Sequence, residues 1–257
     1  MSQLTYNFKR VYVWELPVRI FHWTLALCIT ILVITGFVIA NPPAIGTNAE
    51  ATNRYLFAYI RVAHFISAYL LIAVLFYRVY WSFVGNKFAE WQNFIPYTKK
   101  GILNILYVLK VDVLLMKDKE HKLSNISIGH NYLASFSYFI LFLLLLFQIM
   151  SGLGLMSDTG TWWFPRMFLF MKSWFGGDIV LRYWHHIFTW LFIVFTLVHV
   201  YLVLYHDYIE ARGEASAMIS GYKFVRAERI TKSEDEIIEE ARTQMWKGKE
   251  KTDKKSD

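Results

Sequence analysis

The chain has 257 residues, of which 56% are hydrophobic and 18% aromatic, and it carries a formal net charge of +7. Its charged residues crowd into the two ends and one loop. That distribution excludes an ordinary water-soluble domain and marks a membrane protein.

Four stretches are long enough to cross a hydrocarbon core of about 30 Å, which takes roughly 20 apolar residues on a helix. They cover residues 20–40, 61–84, 132–155 and 184–206. In span one, Val38 and Ala40 offer a tolerable signal-peptide cleavage context. The apolar run exceeds the usual 7 to 15 residues or so and carries a histidine, so we read it as a retained span. Between spans two and three, Gly101 to Met116 is apolar but short, and it contains Lys110 and Asp112. An interfacial amphipathic helix is the better reading. After span four, residues 211–257 form a charged tail with an expected helix from Lys232 to about Lys247.

Lysine and arginine set the orientation. The N-terminal segment, the end of span two with the loop to span three, and the tail together hold 22 of them, and the other two loops hold five. By the positive-inside rule both termini are cytoplasmic. The expected fold is therefore an all-α membrane protein, a four-transmembrane-helix bundle over residues 1–210, followed by the cytoplasmic tail at 211–257.

The chemistry lies in the histidines. An arginine stands three residues before a histidine at Arg19/His22, Arg61/His64 and Arg182/His185. His199 follows His185 by fourteen residues, so on a helix the two share a face about 21 Å apart along the axis. With the topology above, His64 and His185 lie near the outer face, and His22 and His199 lie towards the cytoplasm. Two histidines at one depth supply two axial imidazoles to one haem iron. A histidine at a helix end also caps or snorkels without any ligand. His199, however, lies well inside its span, where an ionisable residue marks function by default.

Two haems b, each held by two histidines, follow from these depths. The single cysteine, Cys28, permits neither covalent CxxCH attachment nor a cysteine-held iron–sulfur cluster, so both haems are non-covalent. Arg61 and Arg182 are placed to pair with propionates of the outer haem and Arg19 with those of the inner one. Arg78 lies fourteen residues after His64 and fits either a propionate partner or an arginine snorkelling to headgroups. The small pairs Thr35–Gly36 and Ser151–Gly152 fit a macrocycle lying against the backbone, or simply close helix crossings. His186, turned about 100° from His185, is a substitute ligand only if the helix tilts. His121 and His206 read as solvated, and His130 as either a helix cap or part of a polar binding site.

The run Val11-Tyr12-Val13-Trp14-Glu15-Leu16-Pro17-Val18-Arg19-Ile20-Phe21-His22-Trp23, with Arg61-Val62-Ala63-His64, Gly129-His130-Asn131, Trp184-His185-His186 and His199-Val200-Tyr201, resembles the b-type cytochrome subunit of membrane-bound nickel–iron hydrogenases. The cytochrome b subunit of formate dehydrogenase is a related, broader family. The resemblance implies an electron-transfer subunit in the bacterial inner membrane, with no hydrogen-activating site of its own and no nucleic-acid partner. It implies two partner proteins, an iron–sulfur small subunit and a nickel–iron large subunit in the periplasm. Electrons then pass from the outer to the inner haem and on to a quinone, menaquinone or ubiquinone. The resemblance places the quinone site at Asn131 and Tyr201, with His130 close by. The rivals are a cytochrome b serving formate dehydrogenase or another periplasmic oxidoreductase, and a histidine-based transporter or proton channel. The transporter is disfavoured because the spans carry no internal Asp or Glu.

Overall fold

The computed structural model describes residues 8–43, 55–93, 132–210 and 213–226. The expected helices at Gly101–Met116 and Lys232–Lys247 lie outside these residues. The described residues fall into two compact units, one within 17–83 and 140–202, the other within 8–16, 84–93, 132–139 and 203–226.

Four long helices carry the first unit: α1 (Leu16–Ala40), α2 (Leu56–Val84), α3 (Tyr132–Met156) and α6 (Asp178–Glu210). Each is long and apolar enough to cross a membrane. Three of them, α1, α2 and α6, begin four to six residues earlier than the apolar runs suggest, and α3 begins where its run does. Pro17 suits the first turn of α1, where its missing N–H has no helical acceptor to lose. Asp178 opens α6 beside the positive end of the helix dipole, after Gly176 and Gly177 turn the chain with positive φ. At the other end of α1, Asn41 N–H closes the last turn on Phe37 O, and Pro42 and Pro43 cannot continue it. The three arginine–histidine pairs therefore lie within regular helix, one turn apart on one face.

All four helices meet at one core of Cys28 from α1, Leu71 and Leu75 from α2, Leu145 from α3 and Phe192 from α6. Large apolar side chains elsewhere on these helices face outward, among them Ile34, Phe76, Phe83 and Leu197. Apolar residues outside and a thin core inside are what a bundle solvated by lipid requires. Between α3 and α6 run two short helices, α4 (Trp163–Arg166) and α5 (Phe170–Trp174), with Trp162, Trp163 and Trp174 exposed. Lys172 ties this stretch down by pairing with Asp158 and Asp178. Burial works to lower its pKa, and the two carboxylates outweigh that and hold it above the usual lysine value.

The second unit contains the only strands among the described residues. β1 (Phe8–Tyr12) pairs antiparallel with β2 (Tyr222–Arg226), Phe8 opposite Arg226 and Tyr12 opposite Tyr222. A short helix, α7 (Glu214–Ser220), leads into β2. Residues 213–226, assigned from sequence to a charged tail, thus fold against the N-terminal segment. Gly221 makes the turn: its φ is +87°, and a Cβ there would stand 2.7 Å from Trp14 O. Lys223 is buried, pairs with Glu214 at 2.6 Å and lies over the Trp14 ring. Asn86 fastens the chain after α2 to the same segment, its side-chain amide donating to Val13 O and its backbone N–H to Glu15 Oε2, both at 2.9 Å.

Candidate functional site

Within the four-helix unit, His22 lies on α1, His64 on α2, and His185 and His199 on α6. His22 of α1 and His199 of α6 face each other with ring centres 6.4 Å apart and planes inclined at 51°. Two imidazoles sharing one metal between them, with nitrogen-to-metal bonds of about 2 Å, hold their ring centres roughly 6 Å apart. His199 also stacks on Phe195, and Trp23 meets His22 edge-on. His64 of α2 and His185 of α6 lie within electrostatic reach of each other.

The second pair is held in a more defined way. Thr35 Oγ1 lies 2.6 Å from Ile31 O on its own helix and 2.8 Å from His64 Nδ1. A hydroxyl has one proton, and the carbonyl can only accept. Thr35 therefore donates to Ile31 and accepts from His64 Nδ1–H. This fixes the tautomer and leaves the lone pair on His64 Nε2. Ser151, fully buried, repeats the arrangement on α3: its Oγ lies 3.1 Å from Gln148 O and 2.8 Å from His185 Nδ1. His185 Nε2 faces the Gln148 side-chain amide nitrogen, a donor, at 3.4 Å, which agrees with a lone pair there. The two hydrogens of that amide go to the nearer acceptors, His185 O and Thr189 Oγ1, both at 3.0 Å, which leaves His185 Nε2 unengaged.

A glycine follows each hydroxyl, and at Gly152 it has a steric reason. A Cβ on Gly36 would lie 3.5 Å from His64 Cε1, and one on Gly152 would lie 3.2 Å from His185 Cε1. The imidazoles rest against bare backbone. Thr35–Gly36 on α1 and Ser151–Gly152 on α3 are thus matching seats, each on the long helix that precedes its histidine's long helix. The seats were legible as small pairs, but the roles of their hydroxyls and of Gln148 were not. A hydroxyl directly before a glycine inside an apolar span, with a glutamine one turn earlier on α3, was the available signal.

These donor sets fit haem. Each imidazole of the His64–His185 pair is anchored by Nδ1 and has Nε2 available to a metal, and His185 lies closer to the backbone at Gly152 than a Cβ there would comfortably allow. His186 does not share the seat, since its ring packs edge-on against Phe37, 5.0 Å between centres.

The arginines are less uniform than the sequence suggests. Arg182 is half exposed and bonds Asp178 at 3.0 Å. Arg61 is exposed and Arg19 is half-buried. Arg78 is half-buried, its guanidinium 5.6 Å from the ring of Phe21, the neighbour of His22. Tyr201 is exposed on α6. Asn131, His130, His121 and the side chain of His206 lie outside the described residues.

The prokaryotic cytochrome b561 family model matches residues 13–221. Among curated relatives, a probable Ni/Fe-hydrogenase B-type cytochrome subunit of Cupriavidus necator is 34% identical over 84% of this chain and 88% of its own length. A probable Ni/Fe-hydrogenase 1 B-type cytochrome subunit of Escherichia coli K12 is 31% identical over 91% of this chain and 99% of its own. A probable Ni/Fe-hydrogenase B-type cytochrome subunit of Azotobacter vinelandii is 34% identical over 85% and 90%.

Proposed function

As the chain belongs to the prokaryotic cytochrome b561 family, we propose that it is the membrane-anchoring di-haem cytochrome b subunit of a periplasmic nickel–iron uptake hydrogenase. Four helices able to span a membrane fit a multi-pass protein, here placed in the inner membrane with both termini cytoplasmic by its lysine and arginine distribution. The names of the relatives support the hydrogenase assignment.

The observation that carries the reading is the sorting of four histidines into two pairs, one of them seated on hydroxyls that leave Nε2 free to bind iron. When bound, each haem supplies reversible one-electron chemistry at its iron. His64 and His185 hold the haem near the periplasm, and His22 and His199 hold the one near the cytoplasm. Arg61, Arg182, Arg19 and Arg78 are the cations available to propionates. Electrons from an iron–sulfur small subunit, itself fed by a nickel–iron large subunit, enter at the periplasmic pair and leave from the cytoplasmic pair to a quinone. Asn131 and Tyr201, with His130 close by, are the residues assigned to that quinone, menaquinone or ubiquinone. Proton release outside and uptake inside make the pathway a redox loop.

The test is the purified membrane complex. Two haems b per chain and a co-purifying nickel-containing subunit are expected. A single haem, or a partner with no nickel, overturns the corresponding half of the assignment. For the quinone site, Asn131→Asp is expected to slow hydrogen-dependent quinone reduction with both haems retained, and an unchanged rate refutes that role.

A further inference from the structure

The two histidine pairs differ in how their second ring nitrogens are held. Both imidazoles of the His64–His185 pair give Nδ1–H to a hydroxyl, from Thr35 and Ser151, at 2.8 Å. In the other pair His22 Nδ1 is buried and has no hydrogen-bond partner among the described residues. The difference is chemical. An imidazole whose N–H is engaged by an acceptor is more basic at its other nitrogen and donates more strongly to a bound metal. Stronger donation favours the oxidised metal and lowers its reduction potential.

We propose that Thr35 and Ser151 are positioning residues that hold the reduction potential of the His64–His185 haem below that of the His22–His199 haem. The hydroxyls set a direction as well as an orientation. An electron handed from the first pair to the second is one oxidation and one reduction with no proton moved, and it runs downhill. The acceptor strength of each hydroxyl comes from its own helix. Each already donates to a carbonyl one turn back, at 2.6 Å for Thr35 and 3.1 Å for Ser151. That spent proton polarises the oxygen towards accepting, and it prevents the hydroxyl from rotating to donate to the ring. Gly152 beside Ser151 lets the His185 ring come close enough for its bond to form.

This inference rests on the di-haem reading, and its test separates the two. The full chain, in its membrane complex, is titrated for reduction potential with optical and electron paramagnetic resonance detection. Wild type is expected to show two potentials, and His199→Ala is expected to leave a single haem titrating at the lower one. Thr35→Val and Ser151→Ala are expected to keep both haems, raise the lower potential, shift that centre's resonance and leave the upper potential in place. Thr35→Ser and Ser151→Thr restore the wild-type value. A His199→Ala haem at the upper potential overturns the inference. So do two-haem Val and Ala variants with both potentials unmoved. If the valine and alanine variants fail to assemble, the order of potentials in His199→Ala still decides. Wild type lacking two haems defeats the functional reading instead.

Discussion

The two histidine pairs are built from the same residue type in the same bundle, yet they rest on different supports. His64 and His185 are each seated between a hydroxyl and a glycine of the preceding helix. His22 and His199 are set among rings, Trp23 edge-on to one and Phe195 stacked on the other. A hydrogen bond fixes a ring's tautomer and rotation together, whereas aromatic contact fixes its plane and says nothing about which nitrogen bears the proton. The first pair has a hydrogen bond at both imidazoles, and in the second Trp23 and Phe195 set the ring planes. The first should therefore respond sharply to small changes in its seat.

The largest effect separates the pairs outright. His64→Ala or His185→Ala is expected to remove one haem of two and stop hydrogen-dependent quinone reduction, while His22→Ala removes the other haem and spares the first. Haem content per chain in purified complexes checks this, and two haems surviving the loss of His64 break the pairing. A smaller effect is expected at the glycines. In Gly152→Ala the new methyl meets His185 Cε1 at 3.2 Å, tighter than an ordinary contact, whereas in Gly36→Ala the distance to His64 Cε1 is 3.5 Å and fits. The ring of His185 has to move by a few tenths of an ångström, straining its bond to Ser151. Partial haem loss and a changed spectrum are expected for Gly152→Ala, with near-normal behaviour for Gly36→Ala. Equal loss in both would mean that the seats do not hold the rings.

Much of this was visible in the chain before folding. Apolar length located all four membrane helices, and a fourteen-residue interval put His185 and His199 on one face of α6. What escaped was set by contacts distant in sequence. α1 and α6 start early because Pro17 and Asp178 are good first-turn residues, which hydropathy does not weigh. β1 and β2 are five residues each and 209 residues apart. Neither FKRVY nor YKFVR is long enough to stand out, and their pairing rests on the ladder itself, the turn at Gly221 and cross-strand contacts such as Arg10 over Tyr222. Arg182 read as a propionate partner from its spacing to His185. Its bond to Asp178, four residues earlier on the same helix, was equally legible at i,i+4 spacing.

That last contact gives the smallest and most discriminating prediction. A positive charge near a redox centre favours the reduced, less positive state, so its removal lowers the potential. A unit charge on the order of 10 Å away contributes roughly 1–2 kcal/mol at an effective dielectric of about 20. Arg78 is half-buried and lies against Phe21, next to His22, so little water screens it. Arg182 is paired with Asp178, and its side chain is 59% exposed, so neutralisation and solvent both reduce its field. Arg78→Gln is therefore expected to lower the potential of the His22–His199 haem, with both haems retained. Arg182→Gln should leave the His64–His185 potential nearly where it was. If Arg182→Gln instead gives the larger shift, the seated pair depends on a cation as well as on its hydroxyls, and the contrast between the two supports fails.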